Sequence, residues 1–356
     1  MLNWIVVFIV FSVLILIHEA GHLFAAKKAG IRVEAFSLGM GKRLFGVKIG
    51  ETDYRLSLIP FGGFCQMAGE EPGKSEGREY EFSAKPPGHR FWVVSAGSLT
   101  NYVFAFFLFA VVYMIGVPTL SNEVGKVLDD FPAAKAGIEK GDRIISINGE
   151  KVEYWEDILA SIRGKDSGSG NIDMRVDRGG KVFDLKVDAR VREMTNIFGQ
   201  KIKTPVIGIA PEQKILSVSY GPLKSFVYGG KRLLYLTGMT YKGIWMLVTG
   251  AMPVKGTVSG PVGIAGLIMQ ATDLGVVHII MITAHISMAL AIFNLLPFPI
   301  LDGGHVIFLG FEKLRGKPVS VRFQELATNV ALFLLIGFAI FVTFNDIIRM
   351  ISDTAK

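Results

Sequence analysis

Two histidines and a glutamate within five positions are the residues of this sequence best suited to chemistry. They belong to the run His18-Glu19-Ala20-Gly21-His22. Residues four apart share one face of a helix, so His18 and His22 can bind one metal ion, while Glu19 lies about 100° around the helix and can reach a water beside that ion. This spacing is typical of zinc hydrolases. It predicts His18 and His22 as metal ligands and Glu19 as the general base.

The setting of this run is unusual for a soluble enzyme. No charged residue occurs from Leu2 to Ile17, and the three ionisable side chains then follow together. An ionisable group near the middle of a bilayer costs about 2.5 to 3.5 kcal/mol on insertion scales. Three of them in one apolar segment therefore indicate function.

A third metal ligand is expected in the second half of the chain, because a catalytic zinc usually has three protein ligands and one open position. The candidate is Asp302, in the run Asn294-Leu-Leu-Pro-Phe-Pro-Ile-Leu-Asp302-Gly-Gly304. Two prolines interrupt the helix there, and no cation adjoins the carboxylate, so a metal ion would supply the compensating charge. Asp302 as a plain helix-terminal residue and His305 as a substitute ligand are the alternatives.

Composition places the chain between membrane and soluble proteins. Half of the 356 residues are hydrophobic, yet 19% are charged, which indicates a membrane bundle interrupted by an extramembrane domain. The net charge is +7, but the basic residues flank apolar runs, so they predict membrane orientation and no nucleic-acid partner. The single cysteine, Cys65, excludes an internal disulfide and is expected to be inert.

Four apolar segments have spanning length, at residues 2–26, 92–117, 276–300 and 327–348. We interpret the first as a retained membrane helix, since no basic segment precedes it as in a cleaved signal peptide. The loop from Lys27 to Arg90 has eleven Lys or Arg residues and the loop from Lys313 to Arg322 has four, which predicts both on the cytoplasmic side. Residues from about 119 to 275 would then face outward.

The segment that follows the first span has a β-rich sequence pattern in place of a helical one. Residues 35–69 contain short β-rich runs punctuated by glycines, including Gly39 and Gly41, and they predict hairpins. A small sheet beside the active site would follow, within a first domain that covers residues 1–118. An ordinary cytoplasmic loop is the alternative.

Residues 119–213 predict a soluble α+β module. A strand, a short helix and the run Ala136-Gly-Ile-Glu-Lys-Gly-Asp-Arg-Ile144 are followed by a tight Asn-Gly turn, a second helix and two strands. This order resembles a circularly permuted bacterial PDZ domain. In that resemblance the residues Val206, Ile207, Gly208 and Ile209 form the loop that binds a peptide carboxylate. A rigid spacer that binds nothing is the alternative.

Residues 214–275 predict a helix on the membrane surface. Tyrosines, a tryptophan and several lysines suit the interface, and Lys242 with several glycines interrupts the apolar stretch. A fifth span is the alternative, but it would place Asp302 on the opposite side of the membrane from His18. The final domain, residues 276–356, would hold the third and fourth spans.

The two motifs together resemble those of one protein family. The run HEAGH in a first membrane helix and the run NLLPFPILDGG in a later one resemble the site-2 protease family of intramembrane zinc metalloproteases, and the module between spans two and three resembles the branch of the regulator of sigma-E protease. Ser259-Gly-Pro-Val-Gly-Ile-Ala265 also fits, so the resemblance covers nearly the whole chain. Some members have two tandem PDZ modules, whereas this chain has room for one.

The resemblance implies a fold and a set of roles. The fold is an α-helical polytopic membrane protein with four transmembrane helices, a membrane-associated β-hairpin region and one extracytoplasmic α+β PDZ domain. His18, His22 and Asp302 would bind one Zn²⁺ per chain. Asn294 would contact substrate backbone or help the oxyanion, and the sheet with Gly39 and Gly41 would hold the substrate.

The resemblance also implies a biological setting. The chain would be a multi-pass protein of the bacterial inner membrane, with its active site near the cytoplasmic side. Its partners would be the lipid bilayer and transmembrane proteins such as anti-sigma factors or signal-peptide remnants, cut in regulated intramembrane proteolysis. The alternatives are a membrane-anchored zinc protease that cuts outside the bilayer and a non-catalytic PDZ scaffold, which an intact Glu19 disfavours.

Overall fold

The computed structural model describes residues 2–71, 73, 75–163, 170–195, 201–253 and 257–354. The chain divides into two compact units. The first unit combines residues 1–112 with residues 222–356, and the second unit comprises residues 113–221.

Four helices of the described residues are long and apolar enough to cross a membrane, as predicted. They are α1 (Leu2–Lys28), α2 (Pro87–Ile115), α7 (Val276–Asn294) and the part Val321–Ile348 of α9 (Val321–Thr354). The third is shorter than predicted, because the backbone turns at Pro297 and Pro299 and α8 (Asp302–Arg315) starts as a separate helix. Asp302 thus lies in the first turn of α8 and outside the third span.

Close packing brings the metal-motif helix against its neighbours. A Cβ on Gly21 would lie 2.5 Å from the Ala96 carbonyl oxygen of α2, so α1 and α2 approach at a distance that only glycine permits. On another side, Leu14 of α1 packs with Ile268 of α6 (Pro261–Leu274) in a buried cluster. The HEAGH turn is therefore fixed on two sides.

The helix α5 (Pro222–Val248) occupies the segment predicted to lie on the membrane surface. Gly229 packs on Ala110, and Thr237 is hydrogen-bonded to Tyr102 at 2.8 Å. Residue numbers rise along α5 from the first contact to the second, while they fall along α2. The two helices therefore run antiparallel and lie against each other for about two turns. The helix α5 is not among the candidate spans, and its placement at the interface stays a prediction.

Between α1 and α2, two long strands form one folded sheet where several short hairpins were predicted. The strands are β1 (Val33–Ile49) and β2 (Thr52–Met67). Residues 35–38 of β1 align with residues 66–63 on one side and with residues 53–56 on the other, and residues 43–49 pair with residues 57–52. Gly39 and Gly41, with φ of 88° and 85°, lie at the bend that makes this double pairing possible. Residues 63–67 form an outer edge of this sheet.

The second unit is an α+β domain with its own core. Its first and last strands, β3 (Val117–Leu120) and β12 (Ile215–Val218), pair antiparallel, so the chain enters and leaves at neighbouring points. Two short helices pack on the sheets around buried Ile144, Ile147, Trp155 and Ile158. Its elements are β3 (Val117–Leu120), β4 (Val124–Val127), α3 (Pro132–Lys135), β5 (Arg143–Ile147), β6 (Glu150–Lys151), α4 (Trp155–Arg163), β7 (Asn171–Arg178), β8 (Lys181–Asp188), β9 (Arg190–Thr195), β10 (Lys201–Val206), β11 (Ile209–Pro211) and β12 (Ile215–Val218).

Candidate active site

The structure brings the three predicted metal ligands together although 280 residues separate His22 from Asp302. The Nε2 atoms of His18 and His22 are 3.2 Å apart. Asp302 places Oδ2 at 3.5 Å from His18 Nε2 and Oδ1 at 3.7 Å from His22 Nε2. Three potential ligand atoms, from α1 and from the first turn of α8, therefore face one small volume.

The hydrogen bonds behind these atoms favour a cation. The Nδ1–H of His22 donates to the Val93 carbonyl at 2.9 Å, so the Nε2 of the neutral ring keeps its lone pair. The Ser98 hydroxyl donates to Asp302 Oδ2 at 2.8 Å. The His22 Nε2 lone pair therefore faces an Asp302 carboxylate oxygen, and two lone pairs in such a partly buried place repel unless a proton or a cation lies between them. The donor set of two imidazoles and one carboxylate suits zinc.

A glycine of α2 leaves the space in which the imidazoles meet. A Cβ added to Gly97 would lie 2.3 Å from His22 Nε2 and 2.8 Å from His18 Cε1. Real Cβ atoms do not approach other atoms so closely. Any larger residue at position 97 would therefore force the two imidazoles to shift, and Gly97 directly precedes Ser98, whose hydroxyl donates to Asp302.

Glu19 faces the edge of the folded sheet. A Cβ built on Gly63 of β2 would be 3.3 Å from Glu19 Cγ, which shows how closely the strand approaches the carboxylate side chain. Glu19 and residues 64–67 of the same strand line one cavity, together with His18, His22 and Asp302. The predicted base, the predicted ligands and a sheet edge thus share one space.

That cavity has a volume of about 880 Å³ and an acidic lining. Among the described lining residues are six carboxylates and one guanidinium, that of Arg90; the carboxylates are Glu19, Glu34, Glu70, Glu71, Asp302 and Glu312. Limited hydration within the cavity raises the pKa of Glu70 above its usual range. Burial, with the charge of Glu19 beside it, also raises the pKa of the Cys65 thiol to about 12, which keeps this thiol protonated.

Other predicted residues lie apart from the cluster. Asn294 is the last residue of α7, half-buried, and is not among the described residues that line the cavity. Gly39 and Gly41 shape the bend of the sheet and are likewise outside that lining. His305 lines the cavity but is not part of the group of three ligand atoms. The substrate roles of Asn294, Gly39 and Gly41 stay predictions.

In the second unit, the predicted carboxylate-binding loop packs against a short helix. The Ile207 side chain is buried, and the backbone carbonyl of Ile207 accepts the Ala133 N–H of α3 at 2.9 Å. The Gly208 carbonyl accepts the Leu128 N–H at 2.9 Å. Val206 ends β10 and Ile209 begins β11. Peptide binding by this loop stays a prediction.

Sequence reasoning missed the residues of α2 that support the cluster. Val93, Gly97 and Ser98 occupy one side of that helix, and their types resemble ordinary membrane-helix residues. A glycine and a serine adjacent to each other in an apolar span are a weak signal, because small residues are common where membrane helices pack. Only the proximity of α1 and α8 shows their role.

Comparison with known proteins places the chain in a family. The model of Peptidase family M50 matches residues 6–338. A Clostridium perfringens protein named as a zinc metalloprotease is 35% identical over 343 residues, which cover 95% of this chain and 96% of the relative. A Campylobacter jejuni protein of the same description is 30% identical over 348 residues, covering 97% and 93%.

A further relative is the Regulator of sigma-W protease RasP of Bacillus subtilis, 28% identical over 429 residues, with 98% of this chain and 99% of the relative covered. Among solved structures, the PDZ domain of the SdrC-like protein from Listeria monocytogenes is 24% identical and covers 27% of this chain and 90% of that one, with a TM-score of 0.21, too low to establish a common fold. The cluster, the four apolar helices and the match over residues 6–338 agree: the chain is a zinc metalloprotease and belongs to peptidase family M50.

Proposed function

We propose that this zinc metalloprotease cuts transmembrane segments of single-span proteins, or signal-peptide remnants, within the bilayer. One observation carries the proposal: His18 and His22 are part of a helix that is long and apolar enough to span a membrane, and Asp302 meets them there. A protease that cuts outside the bilayer would have no reason to keep its ligands in such a helix, given the cost of ionisable groups there.

His18, His22 and Asp302 would hold one zinc ion per chain. When bound, zinc supplies Lewis acidity, which makes water acidic near neutral pH and polarises a carbonyl. The Val93 carbonyl fixes the tautomer and ring orientation of His22, and the Ser98 hydroxyl orients the Asp302 carboxylate. The chain thus provides an oriented ligand set before substrate arrives.

Glu19 would move the proton. Its carboxylate accepts a proton from the attacking water and then donates it to the nitrogen of the leaving amine, as a general base that becomes a general acid. Glu19 lies beside the sheet edge and shares a cavity with the metal cluster, so it would be close to the water that attacks a substrate held along that edge.

The outer edge of β2 would hold that substrate. A peptide bond within a helix is shielded by its own hydrogen bonds, so the substrate has to unwind, and its freed backbone groups need partners in an apolar medium. Residues 63–67 pair with β1 on one side only among the described strands, and residues 64–67 line the cavity. An added strand along this edge would satisfy the freed groups and lie next to Glu19. Asn294 would contribute to substrate contact, as predicted from the motif.

The second unit would act as a filter for substrates whose outer portion has already been shortened. We assign it an extracytoplasmic position from the charge of the loops, and a PDZ-like function from its sequence. Its two ends join through paired strands β3 and β12, so residues 120–213 can be deleted with little disturbance of the helices. The protein that lacks residues 120–213 should cut substrates with intact ectodomains. Continued refusal of such substrates would assign the filter to another part of the chain.

The direct test uses the detergent-solubilised protein and a panel of transmembrane peptides, with and without a zinc chelator. Glu19→Gln should lower cleavage about 10²- to 10⁴-fold while zinc stays bound, since the amide cannot accept the proton. Undiminished turnover by this variant would remove Glu19 as the base. Cleavage of soluble loops in preference to transmembrane peptides would favour the protease that cuts outside the bilayer.

A further inference from the structure

A buried ion pair joins the far end of α8 to the start of α2. Arg90 Nη2 contacts Glu312 Oε1, and the two side chains are only 11% and 16% exposed. Both residues line the same cavity as the metal cluster. A buried charge pair of this kind is strongly coupled, because removal of one partner leaves the other charge without compensation.

The pair is the second of two polar contacts between these helices. At the other end of α8, Ser98 donates to Asp302. Ser98 and Arg90 are eight residues apart on α2, about 12 Å, and Asp302 and Glu312 are ten residues apart on α8, about 15 Å. The two contacts therefore fix α8 alongside α2 at both ends, in antiparallel orientation.

Arg90 is itself held by the segment that precedes α2. Its Nε donates to the Lys85 carbonyl at 2.9 Å, and its guanidinium lies 6.0 Å from the ring centroid of Phe82. These two contacts hold the guanidinium in place independently of Glu312. An arginine suits this task because its planar group can donate in several directions at once.

We propose that Arg90 and Glu312 are positioning residues for the metal ligand Asp302. The helix α8 follows a turn at Pro297 and Pro299 and does not continue α7, and Asp302 lies in its first helical turn. Anchoring of Glu312 to Arg90 sets the tilt of α8 and with it the direction of the Asp302 carboxylate towards His18 and His22. The inference rests on the proposed role of Asp302 as a zinc ligand.

The experiment measures the zinc dissociation constant of the full-length protein in detergent by chelator competition, together with the melting temperature and cleavage of a transmembrane peptide. Arg90→Gln and Glu312→Gln should each weaken zinc binding about tenfold, the lower end of the effect of outer ligand-supporting residues. The exchange Arg90→Glu with Glu312→Arg should recover a substantial part of that loss. Lys313→Gln, which removes an exposed charge from the same turn, should bind zinc as the wild type does.

The outcomes separate this inference from the proposed function. Wild-type zinc affinity in both single variants, with only a lower melting temperature, would make the pair merely structural and overturn the inference. Unchanged zinc affinity in Asp302→Ala would instead contradict the ligand assignment itself. If Glu312→Gln does not fold, Glu312→Asp, which keeps the charge but shortens its reach by one methylene, takes its place with the same expected direction.

Discussion

Asp142 and Asp302 are both largely removed from solvent, and their partners differ in kind. Asp142 of the second unit is fully buried and receives the Nε and Nη2 donors of Arg178 at 2.7 and 2.8 Å and the Glu139 N–H at 2.9 Å. Asp302 of the first unit, 17% exposed, faces two imidazole nitrogens at 3.5 and 3.7 Å and has one hydroxyl donor, Ser98.

The comparison separates a carboxylate with a structural role from one that we propose binds a metal ion. The charge of Asp142 is compensated by protein donors, which is what a stable fold requires of a buried carboxylate. The neighbours of Asp302 include groups that themselves need a cation. A carboxylate that faces an acceptor such as His22 Nε2 is therefore our candidate for a metal ligand, while one whose partners are all donors belongs to a structural network.

The largest effect is expected at Asp302. Asp302→Ala removes one of three ligands, so zinc binding and transmembrane-peptide cleavage should fall by more than the roughly 100-fold that loss of an outer supporting residue causes. Its melting temperature without zinc should change little, because the carboxylate contributes no ion pair with Lys or Arg among the described residues. Metal analysis and cleavage of the purified variant check this, and full zinc content would contradict it.

The second-largest effect on zinc binding is expected at Gly97. Gly97→Ala places a methyl group 2.3 Å from His22 Nε2 in the present geometry, so the imidazoles have to move apart and zinc binding should weaken more than about tenfold. Gly266→Ala in α6 is the matched control, since a Cβ there has no neighbour within 4 Å. Chelator competition measures both variants, and equal zinc affinity in the two would refute the role of Gly97.

A smaller effect is expected at Ser98, whose hydroxyl donates to Asp302. Ser98→Ala should weaken zinc binding about 10-fold, within the range for ligand-supporting hydrogen bonds. Ser287→Ala is a close control, since that buried hydroxyl donates to the Asn101 carbonyl at 2.8 Å and not to a ligand. If the two serine variants bind zinc alike, Ser98 is not a supporting residue.

The smallest effect on chemistry is expected at Asp142. Asp142→Asn removes the charge that Arg178 compensates, and the melting temperature of the second unit should fall by roughly 5 to 10 °C, while zinc content stays unchanged. Differential scanning calorimetry with metal analysis measures both quantities. A loss of zinc in this variant would erase the distinction between the two aspartates.

The same residue gives a pH dependence. Burial alone would raise the pKa of Asp142, but the Arg178 guanidinium and the Glu139 N–H lower it overall, below its ordinary value of 3.8. A carboxylate with a lowered pKa stabilises the fold above its unfolded-state pKa, and this contribution is lost as the pH falls through the folded-state value. Asp142→Asn should therefore show a weaker loss of stability below about pH 4 than the wild type, in thermal melts across that range.

The sequence was sufficient to predict the four apolar helices, and it named the three side chains that the structure brings together. Sixteen uncharged residues before His18 predict a span by length and hydropathy alone, and the spacing of His18 and His22 fixes their common face whatever the tertiary structure. The Asp302 motif was recognisable because its prolines exclude a continuous helix. Asp302 begins a new helix, α8, and this depends on packing that no local sequence pattern encodes.

The supporting residues depend on tertiary structure and were not predictable. Gly97 and Ser98 matter because α2 lies between α1 and α8, and Arg90 meets Glu312 across 222 residues of sequence. The double pairing of β1 was missed for the same reason, since alternating patterns indicate a strand but do not specify two partners.

The most direct test of the proposed zinc site is metal analysis of the purified full-length protein, combined with X-ray absorption at the zinc edge. We expect about one zinc per chain, with two imidazole nitrogens and one carboxylate oxygen from the protein, and loss of the oxygen ligand in Asp302→Ala. Zinc that is bound with the same ligands in Asp302→Ala, or no zinc in a protein that cuts transmembrane peptides, would contradict it.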